Sequence, residues 1–61
     1  MEVLFEITII GSIARVAAVD PETGMEAIIQ GPANIGPTVL KRNAERKLHF
    51  LMKKAQQLKT K

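Results

Sequence analysis

The sequence predicts an α+β fold in which a three-stranded antiparallel meander, ordered 1-2-3, packs on one C-terminal helix. Three observations support this β-β-β-α arrangement. The first half of the 61-residue chain is rich in apolar and β-branched residues, two turn sequences divide it into three segments, and the second half repeats apolar residues at helical spacing. We expect one domain over 1–61, with strands over about 2–10, 13–19 and 25–30 and a helix over about 37–58.

The first hairpin is predicted from Gly11-Ser12. A glycine at the first central position is typical of a two-residue type II′ turn. Such a turn fixes the register of the first two strands. The expected pairs are Ile10 with Ile13, Ile9 with Ala14, Ile7 with Val16, and Phe5 with Ala18.

The second hairpin is predicted from the sequence DPETG, Asp20 to Gly24. Pro21 favours the first corner of a type I turn, the Asp20 side chain can bond to the backbone ahead of it, and Gly24 can adopt the left-handed conformation. Asp20 is then opposite Met25, Ala18 opposite Ala27, and Val16 opposite Ile29. The two registers agree on which residues share a face, which supports the meander.

One face of the predicted sheet is apolar and should pack under the helix. It carries Val3, Phe5, Ile7, Ile9, Ala14, Val16, Ala18, Ala27 and Ile29. The opposite face carries Leu4, Glu6, Thr8, Ile10, Ile13, Arg15, Ala17, Val19, Glu26, Ile28 and Gln30. A solvated face is normally mostly polar, and we expect its Glu6, Arg15 and Glu26 to form a cross-strand charge cluster.

The apolar residues of this second face predict an interface, because contiguous exposed apolar patches usually mark one. The alternative is an apolar surface on a monomer. The candidate interface residues are Leu4, Ile10, Ile13, Ala17, Val19 and Ile28, with Phe50 from the helix. Phe50 can reach a neighbouring chain or fold over the sheet edge. The edge strands also offer unpaired backbone groups.

Gly31-Pro32 is expected to end the third strand, and Pro37 suits the first position of a helix. Asn34 and Gly36 are both candidate caps. The stripe expected to face the sheet is Leu40, Ala44, Leu48, Leu51, Ala55 and Leu58, flanked by Met52 and Phe50.

Basic residues concentrate in the helix. From Lys41 onward there are eight Lys or Arg and one acid, whereas one base and five acids precede it. Arg42, Arg46, His49 and Lys53 form a row on the side away from the sheet. Arg42, Arg46 and Lys53 are candidate phosphate ligands in a nucleic-acid-associated protein. The alternative is a solvated helix face, with His49 as an ordinary surface histidine.

No catalytic motif is present, so the sequence predicts a non-enzymatic protein with no catalytic residues, cofactor, metal site or small-molecule substrate. There is no Cys, one His, and no Tyr or Trp. No segment has the ~18 apolar residues of a membrane span, and the N-terminus does not resemble a signal peptide. We therefore expect a cytoplasmic protein without a membrane partner. A chain this short often needs a second subunit, which favours a homo-oligomer, with a dimer the first expectation, or another protein partner.

The run from Val16 to Glu26, followed by Ile28 to Pro32 and by Arg46-Lys47-Leu48, resembles a family of very short bacterial proteins of unknown function, associated with alphaproteobacteria. The shared pattern is V-x-A-x-D-P-x-T-G-x-E, then I-x-G-P, then a basic C-terminal helix. The resemblance spans nearly the whole chain. It implies a common architecture and assigns no activity or functional residue.

A three-stranded sheet with a D-P-x-T-G turn before one helix is also similar to the arm-binding domains of tyrosine recombinases, which place the exposed sheet face in the major groove. This chain departs from that pattern because Glu6 and Glu26 lie on the face in question, with Arg15 as its one base. Phosphates would repel such a face. The resemblance therefore implies a shared topology and not a shared mode of DNA binding.

Overall fold

The computed structural model describes the backbone of residues 2–59 and the side chains of residues 2–57. Its elements are strand β1 (Leu4–Ile10), strand β2 (Ile13–Val19), strand β3 (Glu26–Pro32), a 3₁₀ turn (Ala33–Ile35) and helix α1 (Pro37–Lys59). The strands form one antiparallel sheet in the order β1-β2-β3. The predicted β-β-β-α fold is therefore confirmed.

The registers predicted from the two turns are also confirmed. β1 pairs with β2 from Leu4 opposite Val19 to Ile10 opposite Ile13, and β2 pairs with β3 with Ala18 opposite Ala27. Gly11 has a φ of 60° and no other residue of this turn has a positive φ, as a type II′ turn requires. Glycine is needed here because a Cβ is strained at that angle.

The second turn is held by the side chain of Asp20, which is only 2% exposed. One carboxylate oxygen accepts the backbone N–H of Glu22 at 3.2 Å, and the other accepts the hydroxyl of Thr23 at 2.8 Å. The Thr23 hydroxyl oxygen in turn accepts the backbone N–H of Met25 at 3.2 Å. Asp20 therefore closes a local network that fixes how β2 leads into β3.

Three strand boundaries differ from the sequence prediction. β1 begins at Leu4, and β3 begins at Glu26 and continues through Gly31 and Pro32 instead of ending before them. Gly31 pairs with Ala14 and Pro32 with Ile13. Proline is tolerated here because β3 is an edge strand, and the N–H that proline lacks would point away from the sheet.

Gly36, and not Asn34, occupies the position before α1. Its carbonyl accepts the backbone N–H of Leu40 at 3.3 Å, whereas Asn34 lies within the 3₁₀ turn. Gly31 lets the helix approach β3 closely, because a Cβ at residue 31 would lie 3.0 Å from the Leu40 side chain. These two glycines set where α1 starts and how close it sits to the sheet.

The core lies between α1 and one face of the sheet, which we call the inner face: Val3, Phe5, Ile7, Ile9, Ala14, Val16, Ala18, Ala27 and Ile29. From the helix, Leu40, Ala44 and Leu48 are buried, and Leu51 and Ala55 are half-buried. The remaining member of the predicted stripe, Leu58, lies outside the described side chains.

One inner-face prediction is wrong. Ile9 was expected in the core, yet its side chain is 62% exposed. The reason is the position of the helix, which packs on β2 and β3. On β1, Lys41 places its ammonium 5.7 Å from the centre of the Phe5 ring, but Ile9 is left without a cover.

Candidate interaction surface

The face of the sheet opposite α1, called here the outer face, carries the predicted interface residues of the three strands. Leu4, Ile10 and Ile13 are exposed, and Ile10 reaches 75%. Val19 and Ile28 are half-buried, while Ala17 is buried. These six residues do share one face, and the exposed members cluster on β1 and directly opposite it on β2.

Ala17 is buried because it lies between longer side chains on both neighbouring strands. Glu6 is its partner on β1, and Ile28 is its partner on β3. The result is a shallow depression over the middle of the outer face. It is lined by Glu6, Thr8, Ile10, Arg15, Ala17, Glu26 and Ile28.

The predicted charge cluster on the outer face does not form. Arg15 pairs with Thr8 and Gln30, so Glu6 and Glu26 are displaced from it along the strands. Among the side chains of residues 2–57, the one close approach of an acid to a basic group is that of Glu45 Oε2 to His49 Nε2 at 3.9 Å, on the helix. The outer face is thus held by cross-strand packing, and its charged groups stay in water.

Both edges of the sheet carry backbone groups that point away from the neighbouring strand. Antiparallel ladders alternate between hydrogen-bonded and non-bonded residue pairs. The Asp20 N–H donates to the Met25 carbonyl at 2.9 Å, and the Ala33 N–H donates to the Ser12 carbonyl at 2.8 Å. Even-numbered residues of β2 therefore bond to β3, and odd-numbered residues bond to β1. The alternate residues of β1 and β3 turn their N–H and C=O groups outward.

On β3 the outward groups belong to Glu26, Ile28, Gln30 and Pro32. The Lys47 ammonium donates to the Ile28 carbonyl at 2.9 Å, and Pro32 has no N–H to offer. A lysine and a proline are two common means of blocking an edge strand against pairing. β3 is therefore a protected edge.

On β1 the outward groups belong to Phe5, Ile7 and Ile9. No hydrogen bond in the described part of the chain reaches them. The seven-residue strand contains neither proline nor lysine. We call the outward backbone groups of Phe5, Ile7 and Ile9 the β1 edge. It is an open edge in a strand of high β-propensity.

Phe50 is not brought together with the other predicted interface residues. It lies on α1, on the opposite side of the sheet from the outer face, and is 64% exposed. Its neighbours in a shallow surface groove are Lys53, Lys54 and Gln57. Of the two alternatives for Phe50, folding over the sheet edge is not observed.

The predicted basic row is present on the solvent side of α1. Arg42, Arg46, His49 and Lys53 are all exposed. Glu45 lies beside the row and approaches His49, which lowers the positive charge in its middle. The row is a charged helix face, and two of its members, His49 and Lys53, also line a surface groove.

A second open groove lies between the DPETG turn and the C-terminal half of α1. It is lined by Thr23, Met25, His49, Met52, Lys53, Ala55 and Gln56. The Thr23 hydroxyl is already bonded to Asp20 and to the Met25 N–H, and His49 faces Glu45. Among the side chains that the structure describes, those of residues 2–57, no three His, Asp or Glu gather to hold a metal ion.

Two features of this surface escape sequence reasoning. In the sequence, Lys47 is one of several lysines of the basic helix. Nothing local predicts its contact with the Ile28 carbonyl, because the two residues are 19 apart. Ile9 was predicted to lie in the core because it shares a face of the first strand with Phe5 and Ile7. The one available signal was length, since a single helix cannot cover both edges of a three-stranded sheet.

No helix of the described chain has the length and apolarity needed to cross a membrane.

Comparison with known proteins gives a family and no activity. A family model described as a domain of unknown function, DUF6898, matches residues 1–55. No curated protein and no solved structure matches the chain.

Proposed function

We propose that this chain, which belongs to the DUF6898 family, is a small non-enzymatic interaction protein that associates with a second copy of itself. The observation that carries the proposal is that the exposed apolar side chains concentrate along β1. Of the seven large apolar side chains exposed in the described part of the chain, four are on β1 or directly opposite it: Leu4, Ile9, Ile10 and Ile13. The other three are dispersed between the 3₁₀ turn and the helix.

Such a concentration has a physical consequence. Burial of apolar surface contributes about 25 cal/mol per Å², and a domain of this size buries on its own a smaller fraction of its surface, about 60%, than a larger domain does. A second copy placed against β1 would add the cover that α1 does not provide. Association would thereby stabilise the fold as well as serve its function.

Sedimentation equilibrium over a wide range of protein concentration tests this proposal. We expect a reversible monomer–dimer equilibrium, together with a melting temperature that rises with concentration, because ligation of the native state by a second copy stabilises it. A compact monomer at all concentrations up to the high micromolar range, with a constant melting temperature, would contradict the proposal.

A second candidate function is phosphate binding by the helix. It is favoured by the exposure of Arg42, Arg46 and Lys53 in one row, clear of the contacts that hold the fold. Binding to mixed-sequence DNA or RNA should then be measurable at low salt and should weaken steeply as salt is added. Replacing all three residues with Gln should reduce that salt dependence, whereas Arg15→Gln on the outer face should leave it unchanged. Undetectable binding at low salt would end this candidate.

The cellular setting follows as part of the proposal. The absence of Cys suits a reducing compartment, so we place the protein in the cytoplasm of a bacterium, in keeping with the resemblance to short alphaproteobacterial proteins. Fractionation of cells that express the chain with an epitope tag, with a membrane marker as control, would check this location.

A further inference from the structure

The open strand β1 supplies a more specific inference, which rests on the proposed self-association. We infer that two copies pair their β1 strands antiparallel, edge to edge, with Ile7 opposite Ile7 of the second copy, to form one six-stranded sheet. This is strand augmentation between identical chains, related by a two-fold axis perpendicular to the sheet.

The first support is the difference between the two edges. β3 is blocked by Lys47 on the Ile28 carbonyl and by Pro32. β1 presents the N–H and C=O groups of Phe5, Ile7 and Ile9 without a partner in the described chain. If an edge pairs with another strand, the open one is favoured, since it has no contact to break.

The second support is the register. Pairs that exchange hydrogen bonds across the new junction must join outward-facing residues, which are odd-numbered on both strands. Centring the pair on Ile7 aligns all seven residues of β1, because Ile7 is the middle of Leu4–Ile10. About six new backbone hydrogen bonds result, from Phe5 with Ile9, Ile7 with Ile7, and Ile9 with Phe5.

The third support is side-chain complementarity in that register. On the outer face, Leu4 meets Ile10 of the second copy, and Glu6 meets Thr8. Centring on Glu6 instead would put two carboxylates directly opposite, which is unfavourable. Centring on Thr8 would put Glu6 opposite Ile10 and leave Leu4 without a partner. The Ile7 register alone matches apolar with apolar and keeps the charges apart.

The fourth support is the space on the inner face along β1, which α1 does not cover. A two-fold axis perpendicular to the sheet puts both helices on the same side of the six-stranded sheet. Because α1 packs on β2 and β3, the two helices would flank the junction without meeting over it. Ile9, which is 62% exposed, would then pack against Phe5 of the second copy.

Cysteine scanning tests this register cleanly, because the native chain contains no Cys. Three single variants, Glu6→Cys, Ile7→Cys and Thr8→Cys, are oxidised under mild conditions and compared on a non-reducing gel. A residue on the two-fold axis faces its own copy at a Cα separation of about 5.5 Å, within reach of a disulfide. We expect Ile7→Cys to give a covalent dimer at least about tenfold faster than the other two. Faster cross-linking of Glu6→Cys or Thr8→Cys would overturn the register.

A matched pair of lysine variants tests the location. Ile9→Lys and Phe50→Lys change side chains of nearly equal exposure, 62% and 64%, so each should leave the monomer folded, as circular dichroism can verify. We expect Ile9→Lys to weaken the dimer at least tenfold and Phe50→Lys to leave it within about twofold. Weakening by Phe50→Lys alone would overturn the β1 assignment and move the interface to the helix.

The outcomes also separate the two proposals. A dimer that persists in Ile9→Lys and fails to cross-link at residues 6, 7 and 8 would overturn the β1 junction and leave self-association standing. A native chain that stays monomeric at every concentration would overturn both, and would leave the β1 edge to a strand of another protein.

Discussion

The two edges of this small sheet differ in whether their outward backbone groups are blocked. The β3 edge receives the ammonium of Lys47, ends in Pro32 and lies beside the helix. The β1 edge has the composition of a buried strand, LFEITII, and its outward backbone groups have no partner in the described chain. The difference teaches that one side of the molecule is built for stability and the other is left available for contact.

The largest effect is expected on the stable side. Leu48→Ala removes a fully buried side chain, at 0% exposure, from between α1 and β2–β3. Such a truncation destabilises by about 2–5 kcal/mol, which is comparable with the whole stability of a domain this small. We expect a chain that is largely unfolded at 25 °C by circular dichroism. Phe50→Ala, at an exposed helix position, is the control and should stay within about 0.5 kcal/mol.

The turn that joins β2 to β3 should be the next most sensitive. Asp20→Ala removes the carboxylate that accepts the Glu22 N–H and the Thr23 hydroxyl. Two hydrogen bonds that each contribute about 0.5–1.5 kcal/mol stabilise the turn by about 1–3 kcal/mol. Urea denaturation at fixed protein concentration measures the loss. Glu22→Ala changes an exposed residue of the same turn and should be near neutral. Equal effects of the two substitutions would mean that the Asp20 network does not hold the turn.

The close approach of α1 to β3 gives a smaller effect. Gly31→Ala places a methyl group 3.0 Å from the Leu40 side chain. Overpacking costs about 1–3 kcal/mol, partly offset by about 0.4–1 kcal/mol from a less flexible unfolded chain. We expect a net loss of about 1 kcal/mol in urea denaturation.

A double variant distinguishes that clash from a general effect of the substitution. In Gly31→Ala/Leu40→Val the smaller side chain at residue 40 makes room for the new methyl, so the combined loss should be less than the sum of the two single losses. Strict additivity would show that the two residues do not press on each other. Gln30→Ala, on the same strand, serves as the neutral control.

Removing the lysine that blocks the β3 edge should change stability least but should change association. Lys47→Met keeps the length of the side chain but removes the donor to the Ile28 carbonyl. We expect a loss below about 1 kcal/mol and new concentration-dependent species in sedimentation velocity, because the β3 edge is then open. Lys54→Met, elsewhere on the exposed helix surface, should give neither change. An unaltered sedimentation profile of Lys47→Met would show that the lysine does not guard this edge.

Sequence reasoning reached the parts of the fold that are set locally. Gly11-Ser12 and the DPETG turn each dictate a turn type, and a turn type dictates a register, so all the cross-strand pairs inferred from them are present. The bonding of the Asp20 side chain was predictable for the same reason. The Gly36 position before α1 needed the structure, since Asn34 was an equally good cap in the sequence.

What the sequence could not supply depends on where a helix crosses a sheet. The exposure of Ile9 follows from α1 lying over β2 and β3, which no local pattern encodes. The contact between Lys47 and Ile28 joins residues 19 apart. The expected cluster of Glu6, Arg15 and Glu26 failed for a different reason, since the registers that the two turns predict already place Arg15 opposite Thr8 and Gln30. The difference between the edges therefore appears only in three dimensions.

Amide hydrogen exchange measured by NMR at low and high protein concentration tests the inequality of the two edges most directly. The N–H groups of Phe5, Ile7 and Ile9 should exchange rapidly in dilute solution and become protected as concentration rises, while those of Ile28 and Gln30 should not change. Protection that appears at Ile28 and Gln30 instead, or rapid exchange of all five amides at every concentration, would contradict the account.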